Sequence, residues 1–329
     1  MTGGETPDGR GTKESPAPPT STSGTHGQPD ALSDRPRPTI TRGQFLAGSL
    51  ALIGAGLASG FYAWRVEPHW LEIVTRPMAI DRLPPALDGA RLLHLTDIHV
   101  GPRVSDSFVV EVFRRLAALE PDIVVVTGDF TSYHAEVLER ARRVYAEMPR
   151  GRLATLGVLG NHDYGPGWSD RRAADSLQGV LAGLGLRVLR NEVAEVAGLQ
   201  IVGMDDLWAE AFQPRAALAA VENRRPVLAL CHNPDCVDLP GWGGYTGWVL
   251  AGHTHGGQCK PPFLPPPVLP VENRRYTSGE FAVGGGRRLY ISRGVGHLQQ
   301  VRFNVRPEAT VFELRPAGLH QVSSGRRTG

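Results

Sequence analysis

Residues 91–99, Arg-Leu-Leu-His-Leu-Thr-Asp-Ile-His, join a short apolar run to an aspartate and a histidine two positions apart. The run at 91–95 has the length and composition of a buried strand. Beyond it, similar runs alternate with segments of helical periodicity, which indicates an α/β layer fold. Asp97 and His99 follow the strand directly, in a loop where functional side chains are often found.

The alternation continues to the C-terminal part of the chain. A helix is predicted at 107–119, because Phe108, Val112, Leu116 and Leu119 fall on one face and Pro121 follows. Further strands are predicted at 123–127, 153–159, 200–204, 226–230, 248–251, 288–292 and 309–314, with helices at 135–147 and 170–184. The proline-rich run 260–270 is predicted to be a rigid loop or lid, because proline cannot donate to a ladder.

The N-terminal part divides by composition. Residues 1–40 are rich in Gly, Pro, Ser and Thr and predict a disordered tail. Residues 41–66 hold an uncharged stretch that would be about 30 Å long as a helix, which matches a bilayer core and predicts a transmembrane anchor or export signal. Residues 67–88 are predicted to be a linker, 89–316 the catalytic domain and 317–329 a flexible tail.

The flanks of the apolar segment leave alternatives open. Arg35, Arg37 and Arg42 precede it, and this small excess favours a cytoplasmic N-terminus and an outward-facing domain. The run Thr41-Arg42-Gly43-Gln44-Phe45-Leu46 resembles a twin-arginine export signal with Gly43 in place of the second arginine. Cleavage near 58–60 and a buried helix of a soluble protein are the alternatives to an uncleaved anchor.

Overall charge and cysteine content exclude several classes of protein. A formal net charge of +2 and the lack of a basic helix face argue against specific nucleic-acid binding. Three cysteines, Cys231, Cys236 and Cys259, without CxxC spacing indicate neither a disulfide framework nor a thiolate zinc site. No protein partner is indicated.

Five polar motifs follow predicted strands, where loops from one sheet edge converge. Their acidic, amide and imidazole groups suit Mn, Zn or Fe ions. Glycines beside them allow the backbone to turn tightly near metals or phosphate. The motifs are Asp97-Ile98-His99, Gly128-Asp129, Gly160-Asn161-His162-Asp163, Cys231-His232-Asn233-Pro234-Asp235 and Gly252-His253-Thr254-His255-Gly256-Gly257. Asp205 and Asp206, outside these motifs, are predicted to be surface turn carboxylates, and Arg293 to bind either a phosphate oxygen or an acidic side chain.

In this order the five motifs resemble the calcineurin-like metallophosphoesterase family, over roughly 91–314. The resemblance implies a four-layer α/β/β/α sandwich with two central mixed β-sheets. It also implies two divalent or trivalent metal ions, Mn, Zn or Fe. Asp97, His99 and His255 would hold the first ion, Asn161, His232 and His253 the second, and Asp129 would bridge both.

The family resemblance also implies the chemistry. His162 would stabilise developing charge on the phosphate or protonate the leaving oxygen, with Asp163 orienting its ring. A hydroxide bridging the two ions would be the nucleophile of a phosphoesterase, with a phosphodiesterase as the expected kind. The alternative is a non-catalytic metal-binding scaffold of the same fold.

Within the family, the segments 230–235 and 250–258 look most like bacterial envelope-associated members. An anchor near Trp64 and Trp70 would hold the site close to a bilayer, so lipid-linked phosphate esters are the expected substrates. Thr131-Ser132-Tyr133 departs from relatives that often carry acidic residues there, which leaves the substrate open.

Overall fold

The computed structural model describes residues 40–132, 137–222 and 224–318. The predicted disordered tail therefore lies outside the described residues except for Ile40, and so does the C-terminal tail from residue 319 onward. Residues 135 and 136 of the helix predicted at 135–147, together with Tyr133, lie outside them as well.

The apolar N-terminal segment is a helix, α1, at Arg42–Phe61. Thr41 starts it with a reciprocal pair: its hydroxyl accepts from the Gln44 amide at 3.2 Å, and the Gln44 side chain accepts from the Thr41 amide at 3.0 Å. No side chain of α1 is buried. With the short turns that follow, the helical run 42–69 has a mean hydropathy of 1.6 over its most apolar window and is long enough to cross a membrane.

The predicted linker 67–88 is wrong in one respect, because most of its first half is a strand of the domain. Strand β1 at Glu72–Ile80 pairs in parallel with the final strand, β12, at Glu308–Pro316. Arg76 and Pro77 interrupt its apolar pattern, and an edge strand tolerates both. Only the segment after residue 80 connects elements as expected.

The segment just before β1 is fastened to the domain. Glu67 is buried, and its carboxylate accepts from the backbone amides of Asn304 and Val305. The Arg302 amide donates to the Ala63 carbonyl at 2.9 Å. Residues 63–67 are therefore held by hydrogen bonds to 302–305 within the same folded unit.

Two six-stranded mixed sheets form the centre of the domain. The first has the order β1-β12-β2-β3-β4-β5 and the second β10-β11-β9-β8-β7-β6. The remaining strands are β2 Arg91–Leu95, β3 Ile123–Thr127, β4 Ala154–Val158, β5 Arg187–Val188, β6 Glu192–Val196, β7 Leu199–Gly203, β8 Val227–Leu230, β9 Trp248–Ala251, β10 Gly279–Ala282 and β11 Arg288–Ile291.

Helices cover the outer face of each sheet. The first sheet packs against α2 Asp106–Ala117, α3 Val137–Tyr145 and α4 Arg171–Gly183, and the second against α5 Pro214–Ala219 and the short turn at Pro234–Asp238. Period-two alternation distributes the strand side chains: Leu93 and Val124 face the helices, whereas Leu92 and Ile123 join Leu228 between the sheets. The fold is therefore an α/β/β/α sandwich, as predicted.

Strand direction places the five motifs together. Strands β2, β3 and β4 run parallel in the first sheet, and β7, β8, β9 and β11 run parallel in the second. Their carboxyl ends carry the loops with the Asp, Asn and His residues singled out above.

Candidate metal centre and active site

Backbone hydrogen bonds join the motif loops to one another. The Asp97 amide donates to the Gly128 carbonyl and the His99 amide to the Asp129 carbonyl, both at 3.0 Å. Across the two sheets, the His253 amide donates to the Asp97 carboxylate at 2.8 Å. The five loops therefore form a single site at the carboxyl edge of both sheets.

One cluster consists of Asp97, His99 and His255, all buried. The Nε2 atoms of His99 and His255 lie 3.1 Å apart, and His255 Nε2 lies 3.2 Å from Asp97 Oδ1. The other Asp97 oxygen accepts from the Thr96 hydroxyl and the His253 amide, so Oδ1 is left facing the two rings. Three donor atoms thus point at one place.

A second cluster consists of Asp129, His232 and His253, also buried. His253 Nδ1 lies 3.1 Å from His232 Nε2, which lies 3.2 Å from Asp129 Oδ2. The same Oδ2 atom lies 3.4 Å from His99 Nε2 of the first cluster. Asp129 therefore stands between the two clusters.

The second ring nitrogen of His232 and that of His253 contact backbone carbonyls, which orient the two rings. His232 Nδ1 lies 2.8 Å from the Thr127 carbonyl, and His253 Nε2 lies 2.7 Å from the Pro270 carbonyl. Because a carbonyl only accepts, each of these nitrogens carries the proton and donates. This leaves Nε2 of His232 and Nδ1 of His253 facing the cluster, as metal ligation requires.

Asn161 provides the test of whether these residues fit metal ions. Its side chain is buried, yet neither the amide oxygen nor the amide nitrogen has a hydrogen-bond partner among the described residues. Asp97 Oδ1 and His255 Nδ1 are unpartnered in the same sense. Buried polar atoms without partners are costly, and here they lie beside carboxylate and imidazole donors of the types that Mn, Zn and Fe prefer. The residues fit a metal centre.

Electrostatics distinguish the histidines of the clusters. Burial opposes the charged form of His232, but Asp129 outweighs it and raises the pKa of that ring well above its ordinary value, so an ion would displace a proton there. Burial lowers the pKa of His99 and of His253 to about 3, so both rings are neutral and able to ligate. Burial raises the pKa of Asp97 to about 6. Burial opposes ionisation of Asp129, but His232 outweighs it and holds the pKa of that carboxyl well below its ordinary value.

Glycines permit the close approach of the motif loops. Gly128 has a φ of +85°, and a Cβ there would lie 2.6 Å from the Gly160 backbone nitrogen. A Cβ on Gly252 would overlap the Thr96 hydroxyl and the Asp97 carboxylate. A side chain at either position would displace a proposed ligand.

His162 lies beside the clusters, and Asp163 does not hold its ring. The His162 amide donates to Asp129 Oδ1 at 3.0 Å, and the His162 ring centre lies 5.1 Å from that of His99. The Asp163 carboxylate instead accepts from the amides of Gly160, Phe130 and Thr131 and from the Thr131 hydroxyl. Asp163 therefore ties the second motif loop to the third, and the expectation that it orients His162 is not what the structure gives.

Two tryptophans missed by the sequence reasoning line the site. Trp168 and Trp208 have ring centres 4.6 Å apart, and Trp208 meets the His253 ring edge to face at 4.4 Å. Trp168 is 37% exposed and lies 6.4 Å from the His162 ring centre. Its position directly after the third motif was the available signal, but the contact with Trp208 is tertiary.

The structure also shows where Asp205, Asp206 and Arg293 lie, three residues outside the five motifs. Asp205 and Asp206 are buried rather than on the surface. Asp205 accepts from the Tyr164 hydroxyl and from Arg190, so it has a structural ion pair. Arg293 donates to Glu308 and Glu72, which decides its role in favour of an ion pair.

Comparisons with known proteins agree with this site. The family model for calcineurin-like phosphoesterases matches residues 90–257. The chain is 32% identical over 285 residues to phosphodiesterase YaeI of Escherichia coli, covering 84% of this chain and 99% of the relative. It is 25% identical over 317 residues to UDP-2,3-diacylglucosamine pyrophosphatase LpxG of Chlamydia trachomatis, covering 80% and 94% of the two chains.

A third relative is a transmembrane protein with a metallophosphoesterase domain from Danio rerio, 27% identical over 273 residues, covering 75% of this chain and 58% of the relative. The matched range includes all five motifs, and the enzyme class predicted from them, hydrolases of phosphoric ester bonds, is confirmed. The chain belongs to the calcineurin-like phosphoesterase family.

Proposed function

We propose that the chain is a phosphodiesterase that works with two metal ions, Mn, Zn or Fe. Asp97, His99 and His255 would hold one ion, and Asn161, His232 and His253 the other. The observation that carries this proposal is the place of Asp129 Oδ2, 3.4 Å from His99 Nε2 and 3.2 Å from His232 Nε2. One carboxylate oxygen in contact with both clusters suits a bridging ligand.

The protein supplies preorganised and buried ligand side chains. When bound, the two ions would offset phosphate charge and bring the pKa of a coordinated water into the neutral range. The chain's own task is to keep the ligand atoms aimed inward. The hydrogen bonds of His232 to Thr127 and of His253 to Pro270 do this.

His162 is the proposed catalytic residue that is not a ligand. Its amide is fixed to Asp129, which leaves the partly exposed ring at the mouth of the site beside His99 and Trp168. From there a ring N–H can donate to a phosphate oxygen or pass its proton to the leaving oxygen. Asp163 then contributes indirectly, by holding the loops that carry Asp129 and Asn161.

A lipid-linked or envelope phosphate ester is the proposed substrate class. Trp168 and Trp208 give the site an apolar wall next to His253, which suits a leaving group with apolar surface. A relative named for a diacylglucosamine nucleotide supports the same class. If lipid phosphodiesters were ignored and only soluble nucleotides were cleaved, this part of the proposal would fail.

We further propose a single-pass membrane protein with the domain outside the cytoplasm. The helix 42–69 supports attachment, and Arg42 at its start supports a cytoplasmic N-terminus. Export followed by cleavage near 58–60 is the alternative. The mass of the membrane-bound protein and its accessibility to protease in intact cells separate the two.

The test is metal-dependent turnover of the full chain in detergent. The protein is stripped with a chelator, reloaded with Mn, Zn or Fe, and assayed on bis-(p-nitrophenyl) phosphate and p-nitrophenyl phosphate. Restored diester cleavage is expected, and a preference for the monoester would instead make the protein a phosphatase. Metal binding without any turnover would favour the alternative, a non-catalytic scaffold.

A further inference from the structure

The proline-rich loop 260–270 exposes large apolar side chains. Its sequence, Lys-Pro-Pro-Phe-Leu-Pro-Pro-Pro-Val-Leu-Pro, includes Phe263, Leu264 and Val268, whose exposed fractions are 105%, 59% and 72%. Exposed apolar groups clustered in this way mark interaction surfaces. The loop needs a partner that accepts them.

The loop cannot withdraw these side chains into the domain. Pro266 and Leu269 are buried at its base, and Arg274 donates to the carbonyls of Pro266 and Pro267 at 3.2 Å. The Lys260 amide donates to the Phe303 carbonyl at 2.9 Å. Six prolines fix further backbone angles. The tip is therefore presented rigidly.

The loop is attached directly to the metal centre. Its last residue, Pro270, accepts from His253, and its first, Lys260, lies five positions after His255. A surface that binds the loop is therefore linked to the site through Pro270 and His253. The loop's location makes it a docking element for the surface on which the substrate lies.

Charge and size favour a lipid bilayer as the partner. Lys260, Arg274 and Arg275 are exposed at the ends of the loop and outnumber the exposed carboxylate there, that of Glu272. A net positive charge beside an apolar tip suits the interface of an anionic membrane. A stable protein interface needs about 800 Å² on each partner, far more than three side chains on a narrow tip offer.

We propose that loop 260–270 is a membrane-insertion loop, which places Phe263, Leu264 and Val268 among the lipids and the metal centre at the bilayer surface. This proposal rests on the membrane attachment proposed above and does not require the catalytic proposal. The loop would act as a second contact with the bilayer, separate in sequence from helix α1.

The test uses Leu264→Cys in the full chain, labelled with the fluorophore NBD and reconstituted in vesicles of phosphatidylcholine and phosphatidylglycerol. Leu153→Cys is the matched control, because Leu153 is an exposed leucine just before β4, at the opposite end of the strands. Cys231 and Cys236 are buried, and labelling of the unsubstituted chain corrects for the half-buried Cys259.

We expect the label at 264 to emit at shorter wavelength than the label at 153 in the same vesicles and to be quenched by nitroxide-bearing lipids, while the label at 153 remains water-like. A water-like label at 264 would overturn the proposal. So would a label shielded from both water and lipid quencher, because a second protein surface would then cover the loop.

Turnover of bis-(p-nitrophenyl) phosphate by the same labelled protein separates the two proposals. Turnover without lipid contact at 264 would count against the loop proposal alone. Lipid contact without turnover would support the loop proposal and count against the catalytic one.

Discussion

At the residue scale, Asp129 is the side chain on which both clusters depend, because its Oδ2 faces His99 and His232. Asp129→Asn removes the shared charge while keeping the size of the side chain. We expect metal content to fall and turnover to drop by more than about a hundredfold, since even outer ligand partners cost 10–100-fold when removed. His253→Ala should act in the same direction.

The measurement is metal content by elemental analysis beside turnover of bis-(p-nitrophenyl) phosphate. His69→Ala is the control, because His69 lies in the turn that follows α1 and belongs to neither cluster. A variant of Asp129 with full metal and full turnover would refute its bridging role.

His162 should separate binding from chemistry. His162→Ala leaves all seven proposed ligands in place, so we expect metal content to stay unchanged. Turnover should fall by about 10²–10⁴-fold, the usual contribution of a positioned acid or base. Loss of metal from this variant would show that His162 is a ligand and would contradict the role given to it here.

The proposed ligand residues could be predicted because each belongs to a short local motif directly after a strand, and the structure brings six of them together in the two clusters. Sequence alone does not predict the partners of Asp163, which lie some thirty positions away in Phe130 and Thr131. The Trp168 and Trp208 contact is hidden for the same reason, since it joins two loops from different sheets. Burial of Asp205 likewise depends on Tyr164 and Arg190, which no local pattern connects to it.

At the element scale, two glycines should respond oppositely to alanine. Gly179 lies exposed in α4 with open space around its Cα, so Gly179→Ala should raise the free energy of unfolding by about 0.5–1 kcal/mol. Gly252→Ala puts a methyl group against Thr96 and Asp97 and should lower that free energy by about 1–3 kcal/mol.

Denaturant unfolding of both variants gives these free energies, and the metal content of Gly252→Ala should fall as Asp97 is displaced. Equal changes in the free energy of unfolding for the two variants would show that the structure can accommodate a methyl group between Gly252 and Asp97.

The parallel strands were predicted well because β2, β3 and β8 are continuous apolar runs buried on both faces. Strand β1 was missed because an edge position accepts Arg76 and Pro77, which resemble loop residues in the sequence. The two-residue β5 carries too little pattern to be recognised alone. These edge strands form because a neighbouring strand pairs with them, and their own sequence pattern does not predict them.

At the scale of the whole molecule, metal binding should stabilise the fold. With free metal at a hundred times its dissociation constant, the expected gain is about 2.7 kcal/mol in the free energy of unfolding. Thermal unfolding of the full chain in detergent, with metal and with chelator, should show this gain as a higher Tm. Asp129→Asn should lose most of the difference, and an equal metal response in that variant would place the ions elsewhere.

The hydrogen bonds that join residues 63–67 to 302–305 also limit how far the active site can travel. A flexible linker over residues 67–88 would let a domain range over roughly 25 Å from its attachment point. Here residues 63–67 are hydrogen-bonded to 302–305, and β1 follows at once, so that slack is absent. An anchored chain of this kind would keep its active site near the membrane, and lipid-linked substrates would reach it by lateral diffusion.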